Sequence, residues 1–142
     1  MRIEKRWKVY SIIICLLIIA GIFEYGNIQE RDNFSIKQIT WDGEGKNWSD
    51  NTRSNLYDIK FKKFTGSDMK EVSSKKNQYK MFIDSEIGSG DLVLRIYTTE
   101  DTIFEGSGSL KAIKDINVKD DEEVKIEIIG ENAKGKIKIK LK

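Results

Sequence analysis

EEVKIEIIGENAKGKIKIKLK, residues 122–142, is the stretch that decides the fold class. Apolar and charged residues alternate on both sides of a glycine-bounded segment, GENAKG. A period of two predicts strands with one buried and one solvated face. One face of the first run carries Val124, Ile126 and Ile128, and one face of the second carries Ile137, Ile139 and Leu141. We expect a hairpin in which GENAKG is the turn and Ile128 lies opposite Ile137.

The same alternation recurs upstream and predicts further short strands. A second hairpin is expected in residues 78–99 around the turn Gly88-Ser89-Gly90, and shorter alternating runs occupy residues 34–41, 57–61 and 102–118. The pattern is weak in residues 66–77, which predicts a short helix or a loop. About seven to eight short strands over residues 34–142 indicate an all-β antiparallel sandwich, with a partly open barrel as the alternative.

The N-terminal region, RWKVYSIIICLLIIAGIFEYG (residues 6–26), has no charge between Val9 and Phe23. As a helix, residues 7–25 would span about 28 Å, close to the thickness of the hydrocarbon core of a bilayer. We therefore predict a basic tail (1–6), a transmembrane signal-anchor helix (7–25), a polar tether (26–33) and a β-domain (34–142). Basic residues before the helix predict a cytoplasmic N-terminus and an extracellular domain at the cell membrane.

Two alternatives concern processing of this segment. Cleavage after Ala20 would release a secreted domain, and it would place Ile18 at −3, which is tolerable but does not complete an A-x-A site. Lipid attachment at Cys15 is disfavoured because the residues before it are Ile12–Ile14 rather than small ones.

Composition excludes several classes of function. The chain has no histidine and no proline, and its single cysteine, Cys15, lies inside the apolar run. Histidine-dependent catalysis, zinc sites built from Cys and His, and disulfide scaffolds are thereby excluded. Four of the 25 basic and one of the 23 acidic residues precede the apolar run, which leaves 21 against 22 in the remainder. A near-neutral domain argues against nucleic acid as a partner.

The C-terminal pattern also carries a resemblance. The segment VKIEIIGENAKGKIKIKLK, preceded by GSGDLVLRIY, resembles small exported proteins of Gram-positive bacteria. These combine an N-terminal membrane anchor or lipoprotein signal with a β-sandwich that ends in a glycine-flanked hairpin. The resemblance covers about residues 78–142. It implies the exported sandwich but no assigned activity, and hence no catalytic residues and no cofactor.

The most site-like segment is WDGEGKNWSDN, residues 41–51. Indole rings beside amide and carboxylate groups can stack on and hydrogen-bond a sugar. The candidate binding residues are Trp41, Asp42, Asn47, Trp48 and Asp50. The alternative is that Trp41 packs in the core and the rest is a surface loop. The spacing of the acidic residues does not match a calcium loop, so no metal site is predicted.

Two charged features have alternative interpretations. Lys136, Lys138, Lys140 and Lys142 share one face of the last strand. We interpret that strand as an edge whose lysines prevent edge-to-edge association, or as a contact for an anionic envelope polymer or lipid surface. The acidic run KDDEEVK, residues 119–125, is typical of a solvated turn. Glycoside hydrolysis would need two carboxylates facing each other across a cleft.

Together these observations predict a single-pass membrane protein without enzymatic activity. Its apolar helix binds the lipid bilayer, and its β-sandwich binds an envelope component or a partner protein. The alternatives are a small secreted carboxylate-dependent hydrolase of cell-wall glycan and an accessory subunit of a membrane transporter or sensor.

Overall fold

A computed structural model describes residues 10–21 and 30–142 of the chain. Residues 10–21 are helical, and residues 30–32 form a short helical turn ahead of the first strand. Within these two ranges, no helix combines the length and the apolar character that crossing a bilayer requires. The basic tail (1–6), both ends of the predicted anchor (7–9 and 22–25) and residues 26–29 of the tether lie outside the described residues.

Seven strands follow, and every pairing between them is antiparallel. Their bounds are β1 Phe34–Lys46, β2 Ser49–Asp50, β3 Leu56–Ser74, β4 Gln78–Tyr97, β5 Thr102–Ser107, β6 Leu110–Asn117 and β7 Val124–Leu141. They form one sheet in the order β1-β3-β7-β4-β5, with β2 also beside β3 and β6 also beside β4. The predicted all-β antiparallel class is confirmed.

The sheet is bent across its middle. β1 and β2 succeed each other along β3, and β5 and β6 succeed each other along β4. The pairing registers of β3, β4 and β7 all shift at the same level: between Phe61 and Gly66 in β3 and between Ile87 and Asp91 in β4. Bulges of this kind bend a strand and increase its twist. We call this level, with residues 62–63, 88–90, 108–109 and 134, the bend end.

The bend divides the sheet into two layers. The first layer contains β2, β6 and residues 56–61, 78–87 and 135–141; the second contains β1, β5 and residues 64–74, 91–97 and 124–133. Contacts join them face to face: the rings of Phe34 and Tyr79 lie 5.2 Å apart, and the Tyr57 hydroxyl lies 3.1 Å from Asp68. Both layers contribute to one continuous buried core. The domain is therefore a sandwich made by one sheet folded over.

Glycines allow the layers to bend so sharply. Gly90 has φ = +71°, a conformation that L-residues with a side chain rarely adopt. A Cβ there would collide with the backbone of Asn132 in β7, and a Cβ at Gly130 would collide with the Phe64 ring. Close approach of β4 to β7, and of β3 to β7, thus depends on glycine at both positions.

Both predicted hairpins are wrong. Residues 124–141 form the single strand β7, and residues 78–97 form the single strand β4. GENAKG is the bent middle of β7, and Gly88-Ser89-Gly90 is the bent middle of β4. The two halves of β7 do not pair with each other, because β7 pairs with β3 on one side and with β4 on the other. The strands are accordingly long rather than short. Residues 66–74, predicted as a helix or loop, belong to β3.

The lysine face is partly as predicted. Lys136, Lys138, Lys140 and Lys142 are exposed, while the intervening Ile137, Ile139 and Leu141 are fully buried. However, β7 is the central strand of the sheet and not an edge. Preventing edge-to-edge association is therefore the wrong interpretation of these lysines.

Candidate functional site

The structure brings Trp41 and Trp48 into contact at the edge of the sandwich. Their ring centroids lie 4.2 Å apart. Trp41 stacks on Phe64 at 5.4 Å, and Trp48 stacks on Phe61 at 5.7 Å. Both phenylalanines are buried at the bend. Two indoles are thus fixed against a rigid aromatic base.

Their exposures differ. Trp41 is 41% exposed, whereas Trp48 is partly buried against the core. Gly45 lies beside both indoles, and a Cβ there would be at ordinary van der Waals distance from them, so the pairing of the rings does not require glycine at this position. Asn47, with φ = 50°, interrupts the edge between β1 and β2 and precedes the inward-packed Trp48. The accessible indole is therefore Trp41, and Trp48 supports it.

The polar candidate residues Asp42, Asn47 and Asp50 lie in three different surroundings. Asp42 is exposed and lines a shallow depression of about 750 Å³ on the outer face of the second layer, together with Asp91, Glu127 and Glu131. Asn47 is an exposed turn residue. Asp50 instead forms an ion pair with Lys70 at 2.7 Å. Among the described residues, no group of three or more acidic or cysteine side chains is arranged to hold a metal ion.

Lys70 belongs to a buried polar network that the sequence analysis missed. Lys70 is 2% exposed and Asp68 is fully buried, and their charged atoms lie 3.6 Å apart. Gln38 donates to Asp68 at 2.7 Å and accepts from Lys70, while the Tyr57 hydroxyl donates to the second Asp68 oxygen at 3.1 Å. The network links β1, β2 and both halves of β3, so it ties the two layers together beside the tryptophans.

The pKa values of two residues in the network, Tyr57 and Asp50, differ from their ordinary values. Burial, together with the neighbouring Asp68 carboxylate, raises the pKa of Tyr57 well above its ordinary value. Partial burial raises the pKa of Asp50, but hydrogen bonds from Lys70 and Thr52 outweigh it and leave that pKa below its ordinary value. Asp50 is therefore a charged partner for Lys70 at neutral pH. Because these groups hydrogen-bond one another, we assign the network a structural role.

Two carboxylates do approach each other, but not in a cleft. A hydrogen bond with Glu123 raises the pKa of Glu71. Glu71 lies on the outer face of β3 and Glu123 is an exposed residue just before β7. Such a pair lacks the facing walls that would hold a glycosidic bond between an acid and a base.

Comparison with known proteins adds little. No family model matches the chain, and no curated protein matches it. One similar solved structure is titled "CBM4 structure and function"; it is 14% identical, with 78% of this chain and 84% of that chain covered, at a TM-score of 0.40. A likeness at that level defines neither a family nor a ligand.

Proposed function

We propose that this chain is a membrane-held binding module without enzymatic activity, which displays its β-sandwich outside the cytoplasmic membrane and binds an envelope glycan through Trp41. The observation that carries the proposal is the state of Trp41: a large apolar ring left 41% exposed, yet held in place by stacking on Phe64. Large exposed aromatic surface with fixed geometry favours ligand contact, because little conformational entropy is lost on binding.

The membrane anchor is supported by the N-terminal helix. Every residue in 10–21 is exposed, including Ile12, Leu16, Leu17 and Ile19 at 60% or more. Leaving a side chain of this size in water instead of an apolar environment costs about 1.5–3 kcal/mol. A helix with apolar residues on all sides is stable in lipid, and we propose that residues 7–25 lie there with the N-terminus in the cytoplasm.

The way the chain enters the sandwich supports display. Asn33 accepts a hydrogen bond from the Lys75 backbone at 2.9 Å, and Glu30 pairs with Lys76 at 3.1 Å. These contacts fix the end of the tether at the turn between β3 and β4, which we call the entry end. Residues 64–74 of β3 then lead from the bend end to the entry end, roughly 30 Å at the rise of a strand. Trp41 lies between these two ends, clear of the attachment point.

The chemistry around Trp41 suits a sugar. A pyranose presents an apolar C–H face to an indole and hydroxyls to its surroundings. Asp42 and Glu44 alternate with Trp41 along β1 and therefore point to the other face of the strand, so we assign the binding contact to the indole ring alone. Trp48 behind Trp41 keeps the platform from collapsing into the core.

Binding of the full-length chain to isolated cell-wall glycan tests the proposal. We expect detergent-solubilised wild type to sediment with the insoluble glycan and Trp41→Ala to lose at least tenfold in affinity. Ile39→Ala is the matched control, because Ile39 is another exposed apolar residue of β1 at 46% exposure. Near-ultraviolet circular dichroism verifies the fold of each variant. Equal binding by Trp41→Ala and wild type would refute this site.

A further inference from the structure

The outer face of the first layer carries an excess of lysine at the bend end. A shallow groove of about 500 Å³ crosses it, and its walls include Lys60 and Lys62 from β3 and Lys134 and Lys136 from β7. Ile87, Gly88 and Gly135 also line it, and its only acidic residue is Glu86, which pairs with Lys136 at 3.3 Å. We call these four lysines and their floor the lysine groove.

Three of the four lysines of the groove lack the acidic neighbours that Lys138 has on the same layer. One row toward the entry end, Lys138 lies between Asp58 and Asp84, which are its register partners on β3 and β4. In the groove, Lys60 lies directly opposite Lys136. Like charges at directly opposed positions destabilise a sheet. Within residues 30–142, Lys60, Lys62 and Lys134 have no acidic group within ion-pair distance.

We infer that the lysine groove binds a linear polyanion that carries phosphate groups at regular intervals. A row of phosphates would supply the negative charges that three of these lysines lack, and it would offset the repulsion between Lys60 and Lys136. Lysine ammonium groups act as point charges for phosphate without the fixed geometry of arginine. The groove therefore fits a repeating charged chain better than one oriented small ligand.

The position of the groove favours a polymer over a lipid surface. The groove lies at the bend end, whereas the tether joins the sandwich at the entry end, roughly 30 Å away along β3. Electrostatic attraction between exposed charges is largely screened beyond about 8 Å at physiological salt. With the tether side toward the bilayer, the four lysines lie at the end of the sandwich that is farther from it. This inference is independent of Trp41, which lies on the edge strand and not in the groove.

Binding of the full-length chain to long-chain inorganic polyphosphate tests the inference. If four lysines release counterions as they do on a single-stranded polyanion, affinity falls about 50-fold between 50 and 200 mM salt. Lys60→Glu/Lys134→Glu should lose at least tenfold in affinity. Lys140→Glu/Lys142→Glu is the matched control with the same change in charge on the same layer but near the entry end, and it should bind within about twofold of wild type.

Folding provides a second, opposite readout. Lys60→Glu places an acidic residue opposite Lys136, so the urea midpoint of this variant should rise at low salt while its polyphosphate binding falls. Equal losses in the two double variants would overturn the inference, since binding would then reflect general charge. Tighter binding to phosphatidylglycerol vesicles or to duplex DNA than to polyphosphate would also overturn it.

Discussion

Replacing Lys70 by methionine tests the buried network that ties the two layers together. The substitution keeps the length and shape of the side chain but removes its charge. Asp68, which is fully buried, then keeps only the neutral donors Gln38 and Tyr57. Removing one partner of a buried ion pair costs about 3–5 kcal/mol, because the other charge stays uncompensated in the interior.

The size of this effect is large against the stability of a small domain. Typical domains are stable by about 5–15 kcal/mol, so Lys70→Met would remove a substantial fraction of it. With a urea dependence of about 2 kcal/mol per molar, the unfolding midpoint should fall by about 2 M. Tryptophan fluorescence provides the assay, since Trp41 and Trp48 lie beside the network.

Lys76→Met is the control. Lys76 pairs with Glu30 at 3.1 Å, but both side chains are about one-third exposed. Surface pairs of this kind contribute at most about 1 kcal/mol, so the midpoint should shift by less than about 0.5 M. If Lys70→Met shifts the midpoint no more than Lys76→Met does, then Asp68 does not depend on Lys70 for its charge and the role assigned to the network is wrong.

Two further predictions concern pH and the bend. The pKa of Asp50 in the folded chain lies below its ordinary value of 3.8, so the stabilising effect of its charge is complete above that pH and is lost as the pH falls through the folded pKa. Asp50→Asn should therefore reduce the loss of stability at acidic pH. An unchanged loss of stability in this variant would contradict the pairing of Asp50 with Lys70. Gly108 and Gly90 both have positive φ, at +67° and +71°, but only Gly90 is crowded by β7. Gly108→Ala should cost about 1–2 kcal/mol in thermal or urea unfolding, and Gly90→Ala distinctly more; equal costs would mean that close approach at the bend does not constrain β4.

For β7 the sequence was sufficient to predict which residues are buried. Period-two alternation placed Ile126, Ile128, Ile137 and Ile139 on the inner face, and all four are fully buried. That prediction succeeds because facing inward is a property of the pleat and does not depend on which strand lies alongside.

The same pattern could not predict where one strand ends and the next begins. A glycine-bounded segment such as GENAKG is compatible with a turn or with a bulged, bent strand, and the local residues do not distinguish the two. The segment forms the middle of one strand because β3 and β4 flank β7 and bend at the same level. Long-range pairing of this kind leaves little trace in the residues of one strand.

The role of the candidate site stays a prediction, and the structure shows only how its residues are arranged. Trp41 and Trp48 do come together, but the accessible ring is Trp41, while Asp50 serves the buried network. Asp68 and Lys70 were missed because residues 66–77 show weak alternation. The only signal in the sequence was indirect. Asp68 and Lys70 alternate in step with the apolar Val72, so all three share one face of the strand. A polar pair can occupy such a buried face when its two side chains pair with each other.

Labelling from outside the cell tests the central claim, display of the sandwich beyond the membrane, most directly. In a Cys15→Ser background, Ser107→Cys introduces a single thiol at an exposed position of β5. A membrane-impermeant maleimide added to intact cells should label this thiol as fully as it does after lysis. Labelling that occurs only after lysis would contradict the account.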